Sequence, residues 1–286
     1  MSGRPSVLVT STVPPRIPTR RCCALTTFAA VRGDGLFETL LVREGRACLV
    51  DAHLRRLVHW RRCWIFPNRT ASVAAGHRHR CHAVDGAEPR GRGAATGVQP
   101  GKESGGPPSA YLTVSPVADR VEAARRDGVS AVLLDRGLPV RGSESTPWLL
   151  AGAKTLSYAV NMAALRHSVR LGADDVIFVS SDGYILGPRS TVVIAVEGRL
   201  LTPPPEYPIL RGTTQQALFE VARAEGLGCG YEQLKPMDLS AAQGIWLVSS
   251  ITLAARVHTL DGRALAPSPM AAQVKRLVQA AILGDG

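Results

Sequence analysis

The chain has 286 residues, 45% of them hydrophobic and only 5% aromatic, enough for one large core or two modest ones built mostly from Val, Leu, Ile and Ala. No apolar run approaches the roughly 18–20 residues that cross a bilayer, and Pro and Arg interrupt the opening segment too early for a secretion signal. The formal charge of +11 is concentrated: residues 1–32 hold five Arg and no acid, residues 55–106 hold ten Lys or Arg against three acids, and the rest is near neutral. These features exclude a membrane-spanning protein and a nucleic-acid-binding surface spread over the fold.

A cytoplasmic protein is expected. The six cysteines (Cys22, Cys23, Cys48, Cys63, Cys81 and Cys229) make no CxxC pair and read as thiols, not as a disulfide framework.

Residues 1–26 have no clear period and read as an atypical, disordered N-terminus. From 27 to 118 the texture is that of a small α+β domain. Within it, Leu36–Leu41 and Ala47–Val50 read as strands joined by Arg43-Glu44-Gly45-Arg46, where Gly45 can take positive φ. Asp51 reads as the N-cap of the helix AHLRRLVHW. The stretch 58–107 mixes Arg, His, Cys, Gly and Pro without a period, the composition of a disordered insertion. Ala110–Val114 is a strand, Val121–Asp127 a short helix closed by Gly128, and Val129–Leu134 a strand; 137–147 reads as a linker between domains.

A larger domain spans 128–286. Tyr158, Met162, Leu165 and Val169 fall on one helical face that ends at Gly172. Strands follow at Val176–Val179, Tyr184–Leu186, Thr191–Val196 and Ile245–Val248, with turns at Asp182-Gly183, Glu197-Gly198 and Asp261-Gly262. Gly212-Thr213-Thr214 opens a helix closed by Gly226, and Met270–Leu283 is a terminal amphipathic helix. No GxGxxG or Walker loop follows a strand, so an α+β two-domain protein is expected, not a Rossmann fold.

Five motifs lie in order along this frame. Arg32-Gly33-Asp34-Gly35-Leu36-Phe37-Glu38-Thr39-Leu40 resembles the GDGxFET strand of fold-type IV pyridoxal-phosphate enzymes, the class IV aminotransferases. Asp51-Ala52-His53-Leu54-Arg55-Arg56-Leu57 is similar to their HLxRL helix, and Ala153-Lys154-Thr155-Leu156-Ser157-Tyr158 to the segment carrying the Schiff-base lysine. Ile209-Leu210-Arg211-Gly212-Thr213-Thr214 resembles the LxGxTR phosphate loop, and Trp246-Leu247-Val248-Ser249-Ser250 with Asp261-Gly262 completes the set. The resemblance covers about 27–57 and 110–286. It implies a D-amino acid aminotransferase-like fold with a degraded small domain, a homodimer and the cofactor pyridoxal 5'-phosphate. Within the family, the pattern is nearest the actinobacterial type of aminodeoxychorismate lyase.

The chemistry accounts for these residue types. An aldehyde cofactor needs an amine, and of the four lysines only Lys154 stands among the motifs, beside apolar neighbours that favour the free base. On position alone Lys154 would be an exposed loop lysine. The helix start at Gly212, Thr213 and Thr214 offers backbone donors, hydroxyls and the positive dipole end to a phosphate; plain capping is the alternative. By resemblance Arg56 adds a guanidinium and Ser250 a hydroxyl, while Tyr158 donates to the cofactor's phenolic oxygen. Arg55 precedes Arg56, and the HLxRL spacing selects the latter; a solvated helix residue or plain packing is the other reading of Arg56 and Tyr158.

Two departures stand out. The family reads GYxxEG after the SDG turn, its glutamate keeping the pyridine nitrogen protonated. Here Gly183-Tyr184-Ile185-Leu186-Gly187-Pro188-Arg189-Ser190-Thr191 lacks one residue, and the glutamate with it. A one-residue loss within a strand also reverses which side chains face inward, and impaired turnover is expected. Secondly, 1–26 and 58–107 depart from the pattern as text translated out of frame would. His77, His79, Cys81 and His82 lie there; with no scaffold around them no metal site is expected.

The resemblance therefore implies a lyase converting 4-amino-4-deoxychorismate to 4-aminobenzoate and pyruvate for folate synthesis. The alternatives are a branched-chain or D-amino acid aminotransferase, and an inactive remnant. The Arg-rich segments lack interleaved aromatics, so no specific nucleic-acid partner is expected.

Overall fold

The computed structural model describes residues 7–10, 13–16, 28–63, 91–100, 109–142, 145–187 and 190–283. The chain divides into two compact units, Met1–Ala118 with Lys154–Tyr158, and Asp119–Ala153 with Ala159–Gly286.

The first unit has, among its described residues, strands β1 (Val7–Thr10), β2 (Val13–Arg16), β3 (Leu36–Arg43), β4 (Arg46–Ala47), β5 (Arg92–Gln99) and β6 (Ser109–Pro116), and helices α1 (Phe28–Arg32) and α2 (Val50–Cys63). The strands form one sheet in the order β2-β1-β6-β5-β3-β4. Alternation along β3 buries Leu36, Glu38 and Leu40 on one side, and α2 packs against this strand. Leu40, Val42, Ala94, Leu112 and Val114 make the core.

Part of this unit differs from the sequence expectation. Residues 7–10 and 13–16 are strands, β1 pairing with β6 from Val7↔Val114 to Thr10↔Tyr111. α2 continues to Cys63, and β5 lies inside 58–107, paired along its length to β3 and β6. A Gly- and Ala-rich strand has no periodicity to read; its neighbours supply its hydrogen bonds, because strand formation depends on context more than on composition. At Gly97 a side chain would run into the Tyr111 ring. His77, His79, Cys81 and His82 lie outside the described residues.

The second unit contains α3 (Asp119–Asp127), β7 (Val129–Asp135), a 3-10 turn (Pro147–Leu149), α4 (Ala159–Arg170), β8 (Asp175–Val179), β9 (Ile185–Leu186), β10 (Thr191–Val196), β11 (Arg199–Thr202), α5 (Thr213–Ala224), β12 (Cys229–Tyr231), α6 (Pro236–Ala241), β13 (Gly244–Ser249), β14 (Leu253–Leu260), β15 (Arg263–Ala264) and α7 (Ala271–Leu283). Its sheet runs β12-β11-β10-β13-β14-β7-β8-β9, with β15 on β14. Alternate residues feed two cores. Val129, Ala131 and Ile177 join Ile194 and Leu247 in one; Val132, Val176 and Phe178 join Tyr207 in the other. α5 and α7 pack on each other and against β13 and β14.

The turns follow residue chemistry closely. Glu44-Gly45, Glu197-Gly198 and Asp261-Gly262 all have positive φ at both positions (52° and 73°, 49° and 74°, 49° and 75°), the type I′ geometry whose twist suits a tight hairpin.

Residues 137–147 are not an interdomain linker. Arg136 N–H donates to Val179 and Ser181 N–H to the Leu138 carbonyl, while the Asp182 carboxylate accepts from the Val140 and Arg141 N–H groups. These bonds tie the segment to β8 and the following turn, within the second unit. The expected apolar face of α4 is not buried either: Met162 is 43% and Val169 68% exposed. No helix among the described residues is long and apolar enough to cross a membrane.

Candidate active site

The segment Lys154–Tyr158 belongs to the first unit although the second unit precedes and follows it in sequence. It lies alongside the start of β3 like an added strand. Phe37 N–H donates to the Lys154 carbonyl at 2.9 Å, Leu156 N–H to the Gly35 carbonyl at 2.8 Å, and Leu36 bridges Thr155. Ser157 Oγ donates to the Gly33 carbonyl at 3.1 Å. The glycines make this approach possible: a Cβ on Gly35 would meet Leu156 Cδ1 at 2.7 Å, and one on Gly33 would meet Ser157 Oγ at 2.9 Å. This clamp fixes where the lysine leaves the backbone.

Lys154 Nζ lies 4.1 Å from the centre of the Phe37 ring and 5.8 Å from that of Tyr158. The two rings meet edge-on with centroids 5.7 Å apart. Tyr158 therefore lies at the mouth of the lysine, one residue before α4, not on its packed face. Aromatic faces attract a cation, so both rings are placed to contact the Lys154 ammonium.

Behind them is a buried polar cluster. Glu38, on the inward face of β3, and His53, on α2, are each 1% exposed. Arg56 lies one helical turn after His53. Its Nε donates to Glu38 Oε1 at 2.8 Å and its Nη2 to Oε2 at 2.6 Å, and His53 Nδ1 lies 2.7 Å from Oε2. Burial would push the Glu38 carboxyl up, but the Arg56 guanidinium and the His53 contact outweigh it and hold it at about 2. Burial pushes the His53 imidazole down, aided by the positive charges of Arg56 and Lys154 and opposed by Glu38.

In the second unit, α5 begins without a side-chain cap after Gly212, which is extended (φ −73°, ψ 119°). Thr213, Thr214 and Gln215 are 7%, 1% and 3% exposed. Thr214 Oγ1 and Gln215 Nε2 have no hydrogen-bond partner among the described residues. Buried polar atoms are rarely left so, and a helix N-terminus with unmet donors suits an anion such as a phosphate ester. A Cβ on Gly212 would strike the Thr191 hydroxyl, so Thr191 faces the same turn. Because Thr191 pairs with Val248, Ser249 and Ser250 follow at the same end of the sheet.

Lys154, Tyr158 and Arg56 thus lie in one unit, and Gly212, Thr213, Thr214 and Ser250 at one end of the sheet of the other. Between Ile185 and Val196 no residue is acidic. The one-residue loss expected from the family pattern lies between Leu186 and Gly187, at the end of β9. Residues 191–195 of β10 are buried on both faces, so the expected reversal of faces carries no penalty there.

Sequence reasoning assigned no role to Phe37, Glu38, His53, Thr191 or Gln215. Strand parity would have found Glu38, which sits between Leu36 and Leu40 on a buried face, and i,i+3 helix spacing would have paired His53 with Arg56. Nothing local marks Thr191 or Gln215.

A family model described as amino-transferase class IV matches residues 35–260. A curated relative from Mycobacterium tuberculosis, named bifunctional aminodeoxychorismate lyase / D-amino acid transaminase, is 59% identical over 272 residues, spanning 90% of this chain and 92% of the relative. The PLP-bound form of a hypothetical aminotransferase from Mycobacterium tuberculosis superposes with a TM-score of 0.94 at 55% identity, covering 98% of this chain and 100% of that one. A fold IV-transaminase from Curtobacterium pusillum superposes with a TM-score of 0.84 at 35% identity over 96% and 97% of the two chains.

Proposed function

The chain belongs to the class IV aminotransferase family, and on that footing we propose that it is a pyridoxal-phosphate-dependent aminodeoxychorismate lyase, releasing 4-aminobenzoate and pyruvate from 4-amino-4-deoxychorismate. The observation that carries the reading is the placement of Lys154: its backbone is clamped to β3 and its Nζ lies 4.1 Å from the Phe37 ring centre. The 59% identical relative bears the lyase in its name. That name also includes a D-amino acid transaminase, so amino transfer is the second reading.

The residues present suit the cofactor at two of its three ends. Lys154 supplies the amine for its aldehyde. Gly212, Thr213, Thr214 and Ser250 would hold its phosphate, with Arg56 adding positive charge, and Tyr158 would donate to the phenolic oxygen. At the ring nitrogen the family's acid is missing. When bound, the cofactor supplies an electron sink for the bond-breaking step. Lys154 Nζ would serve as the base, taking the proton whose loss accompanies departure of pyruvate. The Phe37 and Tyr158 ring centres lie 4.1 Å and 5.8 Å from that amine.

A homodimer belongs to the same reading. Its support is the exposed apolar set Trp148 (71%), Val160 (54%), Met162 and Val169, more than a surface helix and turn ordinarily leave to water. A cytoplasmic setting belongs to it too; Cys48 and Cys229 are thiols, not disulfides.

The test is the visible spectrum of purified protein mixed with pyridoxal phosphate. A band near about 410–430 nm, bleached by borohydride and absent in Lys154→Ala, is expected for capture by a lysine. A wild-type spectrum identical to free cofactor would end the proposal. Pyruvate release measured against amino transfer to a keto acid separates the two readings.

A further inference from the structure

Thr213, Thr214 and Gln215 are the first three residues of α5, a helix of 12 residues. Gln215 has no part in the chemistry above, yet it is 3% exposed and its Nε2 has no hydrogen-bond partner among the described residues. A buried amide donor is seldom left in that state, because burial strips it of water without returning a bond. Helical side chains lean toward the start of their own helix, so a residue at the third position reaches back over the opening turn. The packing agrees: a Cβ added to Gly212 would come within 3.3 Å of Gln215 Cβ and would strike the Thr191 hydroxyl. Gly212, Thr191 and Gln215 therefore close on one spot at the helix start. The Thr191 hydroxyl does not serve as acceptor for Gln215 Nε2, and Thr214 Oγ1 is unmet as well.

Two adjacent unmet polar side chains at the positive end of a helix suit a ligand that presents several anionic oxygens together. We propose that Gln215 is a further phosphate-binding residue, its Nε2–H donating to the ester phosphate of pyridoxal phosphate beside the Thr214 hydroxyl. The inference rests on the cofactor reading of this turn and adds a side-chain donor to it. Unlike the backbone donors of the turn, this one can be removed by substitution, so its share can be read directly.

Affinities for pyridoxal phosphate and for pyridoxal, which has a hydroxyl in place of the ester, are read from the lysine-dependent absorbance band. Gln215→Met keeps the length of the side chain and removes the donor. It is expected to weaken pyridoxal phosphate about tenfold or more and pyridoxal less than about twofold. Gln215→Glu sets a carboxylate beside the phosphate and should weaken pyridoxal phosphate further than Met does. Unchanged affinity for pyridoxal phosphate in the Met variant, equal losses for the two compounds, or wild-type affinity in the Glu variant overturns the proposal. Should a variant fail to fold, the wild type decides. Its Gln215 side-chain NH2 signals in nitrogen NMR should differ between protein loaded with pyridoxal phosphate and protein loaded with pyridoxal; identical signals overturn the proposal. A wild-type spectrum without the lysine-dependent band ends the cofactor reading itself, whereas a band present alongside any of these contrary results ends the role of Gln215 alone.

Discussion

Glu38 is the residue on which the first unit's polar interior turns. Replacing it with Gln leaves Arg56 and His53 beside a neutral amide, and removing one member of a buried charge pair destabilises by about 3–5 kcal/mol; urea midpoints at pH 7 measure this. The pH dependence follows from the signs. Glu38 titrates near 2 in the fold against an ordinary value of 4.5, so its contribution is complete above about 4.5 and is lost as pH falls toward 2. His53 is likewise depressed below its ordinary 6.5, so the fold favours the neutral ring and stability declines as pH drops below 6.5. The two effects add: wild-type urea midpoints should fall from pH 7 to 4, and Glu38→Gln should show a shallower fall below 4.5. Thr214 offers the opposite trade. Its buried hydroxyl lacks a partner among the described residues, so Thr214→Val should leave the cofactor-free protein as stable or about 1 kcal/mol more stable. The same change should weaken pyridoxal phosphate binding about tenfold, as read by absorbance titration.

Among elements, the strap at Lys154–Tyr158 and the turn between β9 and β10 decide what the site can do. The strap is held by backbone bonds at Gly33 and Gly35, which explains how a segment flanked in sequence by the second unit becomes part of the first. On the proposed reading, the family's acid is absent from the segment between β9 and β10. Gly187 is pressed so close to Ser190 that a Cβ would meet its carbonyl oxygen at 2.6 Å. Without a carboxylate there, a ring nitrogen has no acid to keep it protonated, and turnover should be low. Inserting one Glu between Leu186 and Gly187 should raise kcat by about 10²-fold, the usual contribution of a placed acid, with little change in cofactor affinity. An insertion that leaves kcat unmoved would show that the missing acid is not what limits the enzyme.

On the scale of the whole molecule, the surface is divided between charge and exposed apolar side chains. Val169, 68% exposed on α4, is placed to report whether that face is covered by a second copy. Val169→Asp should convert a dimer to a monomer, halving the mass seen by light scattering, because a buried unpaired charge is incompatible with an apolar contact. A wild-type mass equal to 30.4 kDa would remove the dimer from the proposal.

The sequence by itself determined the family and the local geometry of the chain, and it singled out Lys154 as the proposed amine. Motif order and the Glu44-Gly45, Glu197-Gly198 and Asp261-Gly262 turns are properties of neighbouring residues, and so are the helix start at Gly212 and the continuous apolar runs of the large sheet. Tertiary structure alone decided that Gly-rich 92–99 is an internal strand, that 137–147 is tied down by Asp182, and that the apolar side of α4 faces outward. It also decided that Arg56 bonds with Glu38, whose carboxylate His53 contacts as well. Each of these depends on partners distant in sequence. A hydrogen bond or a buried charge takes its energy from the group it meets, and periodicity carries no record of that group.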